Sequence, residues 1–360
     1  MRIILFGYSE GMGLTFHLTQ LAIELFQLNK ELVVVHNGQE QVEGLIKELK
    51  IKQIPLFNIS TQNIVELLIN NKNRETVVHC QGFGQVDLVK DFKTEYNLKL
   101  LVTMHAYRHG KWYKNLVVKI ITEKYKKVID LWVFSTYYSY LDFKRMGFKQ
   151  NFTIVPLGIE ETKNIEPVFK YIDVFSKKTE DYSNQKKYIF YAAQFHKHKN
   201  HNTLVTLISD VLKQDESLIL MLAGDGELME VIEKLCKKLK IRNQVKFLGR
   251  INRDIFLTHF VNARLSVVTS KTETFGHNII EPLSMGIPVL TTPVGIAPEV
   301  IEDFNNGMIF EPNNGDKLKK GIVFFTKNNV DKEAIIEKIK DNFSWKTITL
   351  RYNLAYKNLM

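Results

Sequence analysis

Two glutamates frame the stretch with the most chemistry in it. In "TSKTETFGHNIIEPLSMGIPVLTTPVGIAPEVI", residues 269–301, seven residues separate Glu273 from Glu281, with Phe275-Gly276 between them and the helix-like run Ile279, Ile280 and Leu283 behind. A helix beginning near Gly276 would turn its unpaired N–H groups and positive dipole end toward whatever lies beyond the preceding strand, which suits an anion. Glycine at 276 lets the backbone approach a ligand closely, and Glu281, slightly inside the helix, can accept two hydrogen bonds from a diol such as a ribose. Glu273, on the loop before the helix, is free to reach the hydroxyls of a second group. A diphosphate flanked by two hydroxyl-rich groups describes a sugar nucleotide. The plainer alternative is that both carboxylates simply flank a helix start.

A second possible phosphate turn is "FGYSEGMG", residues 6–13. Gly7, Gly11 and Gly13 follow the apolar run Arg2 to Phe6 and precede a helical pattern at Leu14, Leu18, Leu21, Ala22 and Leu25. The spacing G-x-x-x-G-x-G resembles the cofactor turn of short-chain dehydrogenases. Tyr140 and Lys144, a Y-x-x-x-K pair, are similar to the catalytic pair of that family. An NAD(P)-dependent dehydrogenase or epimerase is therefore one alternative. Against it, His36-Asn37 follow Val35 where such an enzyme wants an acidic or basic cofactor selector. Tyr140 and Lys144 also read as surface and packing residues of a helix starting near Tyr137, and the glycines as an ordinary strand-to-helix turn.

The elements that must carry these groups repeat twice along the chain. Apolar runs at Leu32–Val35, Thr76–His79, Leu98–Met104, Leu131–Ser135 and Thr153–Pro156 predict strands, with helical patterns over Val86–Tyr96 and Tyr113–Val128. After a polar stretch from Glu160 to Lys187, strands are predicted at Tyr188–Ala192, Leu218–Ala223, Val245–Leu248, Leu265–Thr269 and Pro288–Thr291. Helices are predicted between them at Asn202–Leu212, Glu227–Leu239 and Asp254–Asn262. Strands alternating with helices imply parallel, doubly wound α/β sheets, and 360 residues is long for one core. The expected division is residues 1–160, a linker region at 161–186, a second α/β domain at 187–342, and a C-terminal helix at 343–360 that returns to the first domain.

With 45% hydrophobic and 24% charged residues, the composition is that of a globular protein rather than a disordered one. No apolar run is long enough to span a bilayer, which takes about 20 residues, and the N-terminal run is too short for a signal peptide. Cys80 and Cys236 lie far apart without metal spacing. A cytoplasmic location is expected. The net charge of +10 favours anionic partners.

Several ordered motifs together carry a resemblance. The Glu273/Glu281 arrangement with Phe275-Gly276, "GIPVLTTPVG" and Glu299 after it, "LAGDGEL" at 222–228, "VKFLGR" at 245–250 and "VPLGIE" at 155–160 resemble the retaining glycosyltransferases of family 4, which have the GT-B fold. "VTMHAY" at 102–107 and "FST" at 134–136 extend the resemblance into the first half. It implies two Rossmann-like domains facing a cleft, with the acceptor on the first and the nucleotide-sugar donor, UDP expected ahead of GDP, on the second.

Carried over by position, the resemblance implies that Glu281 binds the donor ribose and Glu273 contacts the transferred sugar. Phe275, Gly276, His277 and Asn278 would offer backbone groups, and Gly226 and Arg250 would line the donor. Lys199 would neutralise phosphate, His105 would face the donor sugar, and Gly11 and Gly13 would lie near the diphosphate and acceptor. Five residues before Lys199 the family usually has an arginine; here stands Gln194, which can hydrogen-bond a phosphate oxygen but removes a charge, so that either Lys197 or a nearby histidine compensates or donor turnover is slower. The implied reaction retains anomeric configuration, with front-face attack by an acceptor hydroxyl. No metal and no cofactor are expected, and the chain has no D-x-D triplet.

His196, His198 and His201 sit in a polar loop without a nearby carboxylate partner, which favours solvated histidines over a metal site. The stretch Lys111 to Lys127 interleaves lysines with Trp112, Tyr113, Leu116, Val117, Ile120 and Ile121. Such a basic amphipathic helix can lie on an anionic membrane surface, consistent with a lipid-linked acceptor, or can simply cover the sheet. A basic nucleic-acid-binding protein is the alternative from another class; none of its modules is visible, and no nucleic acid is expected as partner.

Overall fold

The computed structural model describes residues 1–6, 12–28, 31–36, 43–58, 61–69, 74–105, 112–159, 170–177, 179–181, 188–312 and 314–360. Gly7, Gly11 and Lys111 lie outside them. The chain forms two compact units, Met1–Glu160 with Asn342–Met360, and Glu161–Asp341.

In the first unit the strands are β1 (Arg2–Phe6), β2 (Leu32–His36), β3 (Leu56–Asn58), β4 (Thr76–Cys80), β5 (Leu98–Met104), β6 (Leu131–Phe134) and β7 (Phe152–Ile154). They form one sheet in the order β3-β2-β1-β4-β5-β6-β7, and every pairing is parallel. Between them run α1 (Met12–Leu28), α2 (Glu43–Ile51), α3 (Thr61–Ile69), α4 (Phe83–Val89), α5 (Trp112–Tyr125) and α6 (Tyr137–Arg145). Near-continuous apolar strands are what a sheet covered on both faces requires. Ile3, Leu5, Val34, Val77, Leu101 and Val133 pack into one core, and Ile4, Phe6, Val33, Val78, Val102 and Phe134 into the other.

The second unit opens with an antiparallel pair, β8 (Lys170–Ile172) and β9 (Thr179–Asp181). Its main strands are β10 (Tyr188–Ala192), β11 (Ile219–Ala223), β12 (Val245–Gly249), β13 (Leu265–Val268), β14 (Val289–Thr291) and β15 (Gly307–Ile309). They are parallel, in the order β12-β11-β10-β13-β14-β15. The helices are α7 (His201–Gln214), α8 (Met229–Lys238), α9 (Arg253–Asn262), α10 (His277–Ser284), α11 (Ala297–Val300), α12 (Gly315–Lys327) and α13 (Lys332–Phe343). Residues from Lys170 to Asp181, within the stretch expected as linker, thus contain a β-pair that belongs to this unit. Asp173 ties the stretch down: it accepts from Arg242 Nη2 at 2.8 Å and from the Phe247 N–H at 3.0 Å.

The last helix, α14 (Trp345–Lys357), belongs to the first unit. Trp345, Ile348, Tyr352, Ala355 and Tyr356 join Leu18, Leu21, Ala22 and Leu25 of α1 in one apolar cluster. Ser344 caps the helix, accepting from the Thr347 N–H at 3.4 Å. Among the described residues no helix is long and apolar enough to cross a membrane.

Candidate active site

The strand order of the second unit reverses between β10 and β13, and such a switch point opens a crevice beyond the C-terminal strand ends. Lys199 and Glu273, the residues expected to contact phosphate and sugar, lie on the two turns that leave these strands. After β10 the chain passes Gln194, which is exposed, and makes a single 3-10 turn over Lys197–Lys199 before Asn200, in the left-handed region at φ 59°, starts α7. The Lys199 carbonyl accepts from the Tyr191 hydroxyl at 2.7 Å and from Thr269 Oγ1 at 3.1 Å, which clamps this turn to β13.

Lys199 Nζ donates to Glu273 Oε1 at 2.6 Å, and Ser270 Oγ donates to the same oxygen at 2.7 Å. The lysine and glutamate side chains are only 18% and 13% exposed, so this pair is screened less than a surface pair. Lys199 therefore lies on a short helical turn, and Glu273 is already engaged rather than free.

Gly276 caps α10 at φ 94°, a conformation side chains rarely adopt. The turn beneath it is built from the other end of the motif. Ile296 N–H donates to the Phe275 carbonyl at 2.7 Å, and at Gly295, φ 55°, a Cβ would lie 2.3 Å from that oxygen. Phe275 is buried, whereas His277 and Asn278 are half-buried at the helix start. Glu281, 8% exposed, accepts from Arg253 Nη1 at 2.9 Å. Burial pushes the His277 imidazole down, and the negative charge of Glu281 opposes this; Arg253 and Glu273 also act on it, so the two ion pairs share one neighbourhood.

Arg253 and Ser270 were not singled out by the sequence reading. Arg253 opens α9, whose cap is Asn252, accepting from Ile255 N–H at 2.9 Å. The cap signal was legible, but the pairing across 28 residues was not. Gly226 serves the turn by close approach: at φ 143° a Cβ there would meet the Phe195 backbone at 2.9 Å. Arg250 follows β12 and is exposed.

His105 stands where β5 ends in the first unit. Its Nε2 is hydrogen-bonded to the Gln81 side-chain oxygen, and its ring meets that of His17 edge-on at 5.8 Å. Burial pushes the His105 imidazole down to about 3, so it is neutral at physiological pH. Gly13 lies in α1. Tyr140 does not form a catalytic pair with Lys144: its ring is buried and stacked on Phe152 at 3.8 Å, while Lys144 is exposed.

Two parallel α/β sheets, each with a switch point and with the last helix counted in the first unit, make the GT-B fold of glycosyltransferases. Residues 174–342 match the family model of glycosyl transferases group 1. An uncharacterized glycosyltransferase of Methanocaldococcus jannaschii is 27% identical over 49% of this chain and 46% of its own length. The phosphatidylinositol N-acetylglucosaminyltransferase gpi3 subunit of Schizosaccharomyces pombe is 21% identical over 98% of this chain and 79% of its own. The chain thus spans about half the length of the first relative and four fifths of the second. The solved structure of HepE of Anabaena in complex with UDP shares the fold, with TM-score 0.72 and 14% identity over 99% of this chain and 100% of that one.

Proposed function

We propose that this chain is a retaining glycosyltransferase that moves a sugar from a nucleotide-sugar, UDP ahead of GDP, to a saccharide or lipid-linked saccharide. The observation that carries this reading is the constellation at the switch point: the Lys199–Glu273 pair beside a glycine-capped helix bearing Glu281. In this reading the donor diphosphate takes Lys199 and the α10 N-terminus, the ribose diol takes Glu281, and the transferred sugar takes Glu273. The bond from the anomeric carbon to the diphosphate breaks as an acceptor hydroxyl attacks from the same face, and a phosphate oxygen takes the proton. Lys199 and the helix end supply the positive charge, so turnover needs no metal and no other cofactor.

The UDP named in the HepE structure supports the choice of base. The phosphatidylinositol named in the fission-yeast relative supports an acceptor carried on lipid. Leu116 and Ile120, 49% and 58% exposed on α5 with exposed Lys119 between them, fit contact with an anionic bilayer from the cytoplasmic face.

The test is to supply a panel of UDP- and GDP-sugars with vesicles of phosphatidylinositol or diacylglycerol lipids and to determine the product's anomeric configuration by proton NMR. A product with the donor's configuration, formed equally well in EDTA, is expected. An inverted product, or stabilisation by NAD(P) and by no nucleotide-sugar, would overturn the reading.

A further inference from the structure

Arg253 is at odds with its own helix. It is the first residue of α9, where the helix dipole disfavours a cation, and α9 already has its cap in Asn252. The guanidinium turns instead to a residue 28 positions away, Nη1 donating to Glu281 Oε1 at 2.9 Å. Glu281 has need of it. Its side chain is only 11% exposed, and as the fifth residue of α10 it lies past the first turn, where a helix dipole ceases to favour a carboxylate. Lys199 is committed to Glu273, and burial holds the His277 imidazole below its ordinary value, so that ring brings no charge at neutral pH.

The contact is one-sided. A carboxylate has two oxygens and about four acceptor positions, and one N–H on Oε1 fills a single one of them. Among the described residues Oε2 accepts no hydrogen bond. The carboxylate is thus held at one corner and open to two further donors, which is what a vicinal diol requires.

We propose that Arg253 is a positioning residue: it holds the Glu281 carboxylate so that the remaining acceptor positions meet both hydroxyls of the nucleotide's ribose, and it does not itself touch the nucleotide. This rests on the reading that Glu281 takes the ribose diol. A nucleotide without the diol gains nothing from the pair, which separates this role from a direct contact and from a role in folding.

The experiment is calorimetric titration of the full chain with UDP and with 2′,3′-dideoxy-UDP. The wild type is expected to bind UDP about tenfold more tightly or better, the scale of a hydrogen bond to a charged group. Arg253→Gln should bring the two affinities within about threefold of each other by weakening UDP alone, and Arg253→Lys, which keeps a cation, should restore most of the difference. In a Glu281→Gln background, where no charge is left to hold, Arg253→Gln should change neither affinity by more than about twofold. The Arg253 side chain is 43% exposed, so the variants are expected to fold, and their binding of dideoxy-UDP verifies it. A preference for UDP that survives Arg253→Gln, equal weakening of both ligands, or tighter binding of UDP, which would make Arg253 a competitor for the carboxylate, would each overturn the proposal. A wild type that binds both ligands equally would mean that Glu281 does not take the diol, and the ribose reading would fail together with the role of Arg253.

Discussion

Lys199 and Glu273 neutralise each other at 2.6 Å; under the proposed function, donor binding would exchange this internal ion pair for contacts with phosphate and sugar. Under that reading, removing the lysine would cost on two counts: the departing diphosphate would lose a fixed cation, and the half-buried Glu273 would lose its partner. Lys199→Ala is expected to lower kcat/KM by about 10²- to 10³-fold, the scale of one preorganised electrostatic group. Steady-state kinetics with the best UDP-sugar checks it; a fall below threefold would show that the charge comes from elsewhere. Sequence could place these residues on a strand tip and a helix start, because Gly276 and the apolar run behind it announce the turn. It could not show that Ser270 and Lys199 converge on one oxygen of Glu273, since Lys199 and Glu273 are 74 residues apart and their meeting depends on β10 lying beside β13.

The legibility of each element follows its physics. β1, β5 and β10 fall on their apolar runs, because strands covered on both faces are near-continuously apolar. β3 and β15 have three residues each, too few to carry a period. α12 runs unbroken through Gly321, a poor helix former, where a Cβ would come within 2.7 Å of Leu290. The C-terminal helix is legible as amphipathic, but its seat is not. That seat depends on Gly158, where a Cβ would lie 2.4 Å from the Trp345 ring, and on the Ile159 N–H, which donates to the Phe343 carbonyl at 3.0 Å. Gly158→Ala is expected to destabilise the first unit by about 1–3 kcal/mol through overpacking, measured by urea unfolding. An unchanged midpoint would mean that Trp345 has room to move.

Across the whole molecule, buried histidines set a pH limit. Burial pushes His79, His105 and His201 down to about 3 and His259 to about 4. In the unfolded chain each titrates near 6.5, so below that pH the unfolded state binds more protons. Stability is complete above about 6.5 and falls as pH drops toward the folded values, by about 1.4 kcal/mol per pH unit for each such group. His201 gives the clean test: its ring stacks on Phe195 at 4.1 Å, and its nitrogens have no hydrogen-bond partner among the described residues. His201→Phe should lose less thermal stability than wild type between pH 7 and pH 5; an equal loss would contradict the assignment. The central claim, that a nucleoside diphosphate binds the second unit through Glu281 and Lys199, is tested most directly by calorimetric titration of UDP into wild type and Glu281→Ala. Saturable binding that the substitution abolishes is predicted; equal affinity in the two proteins would contradict it.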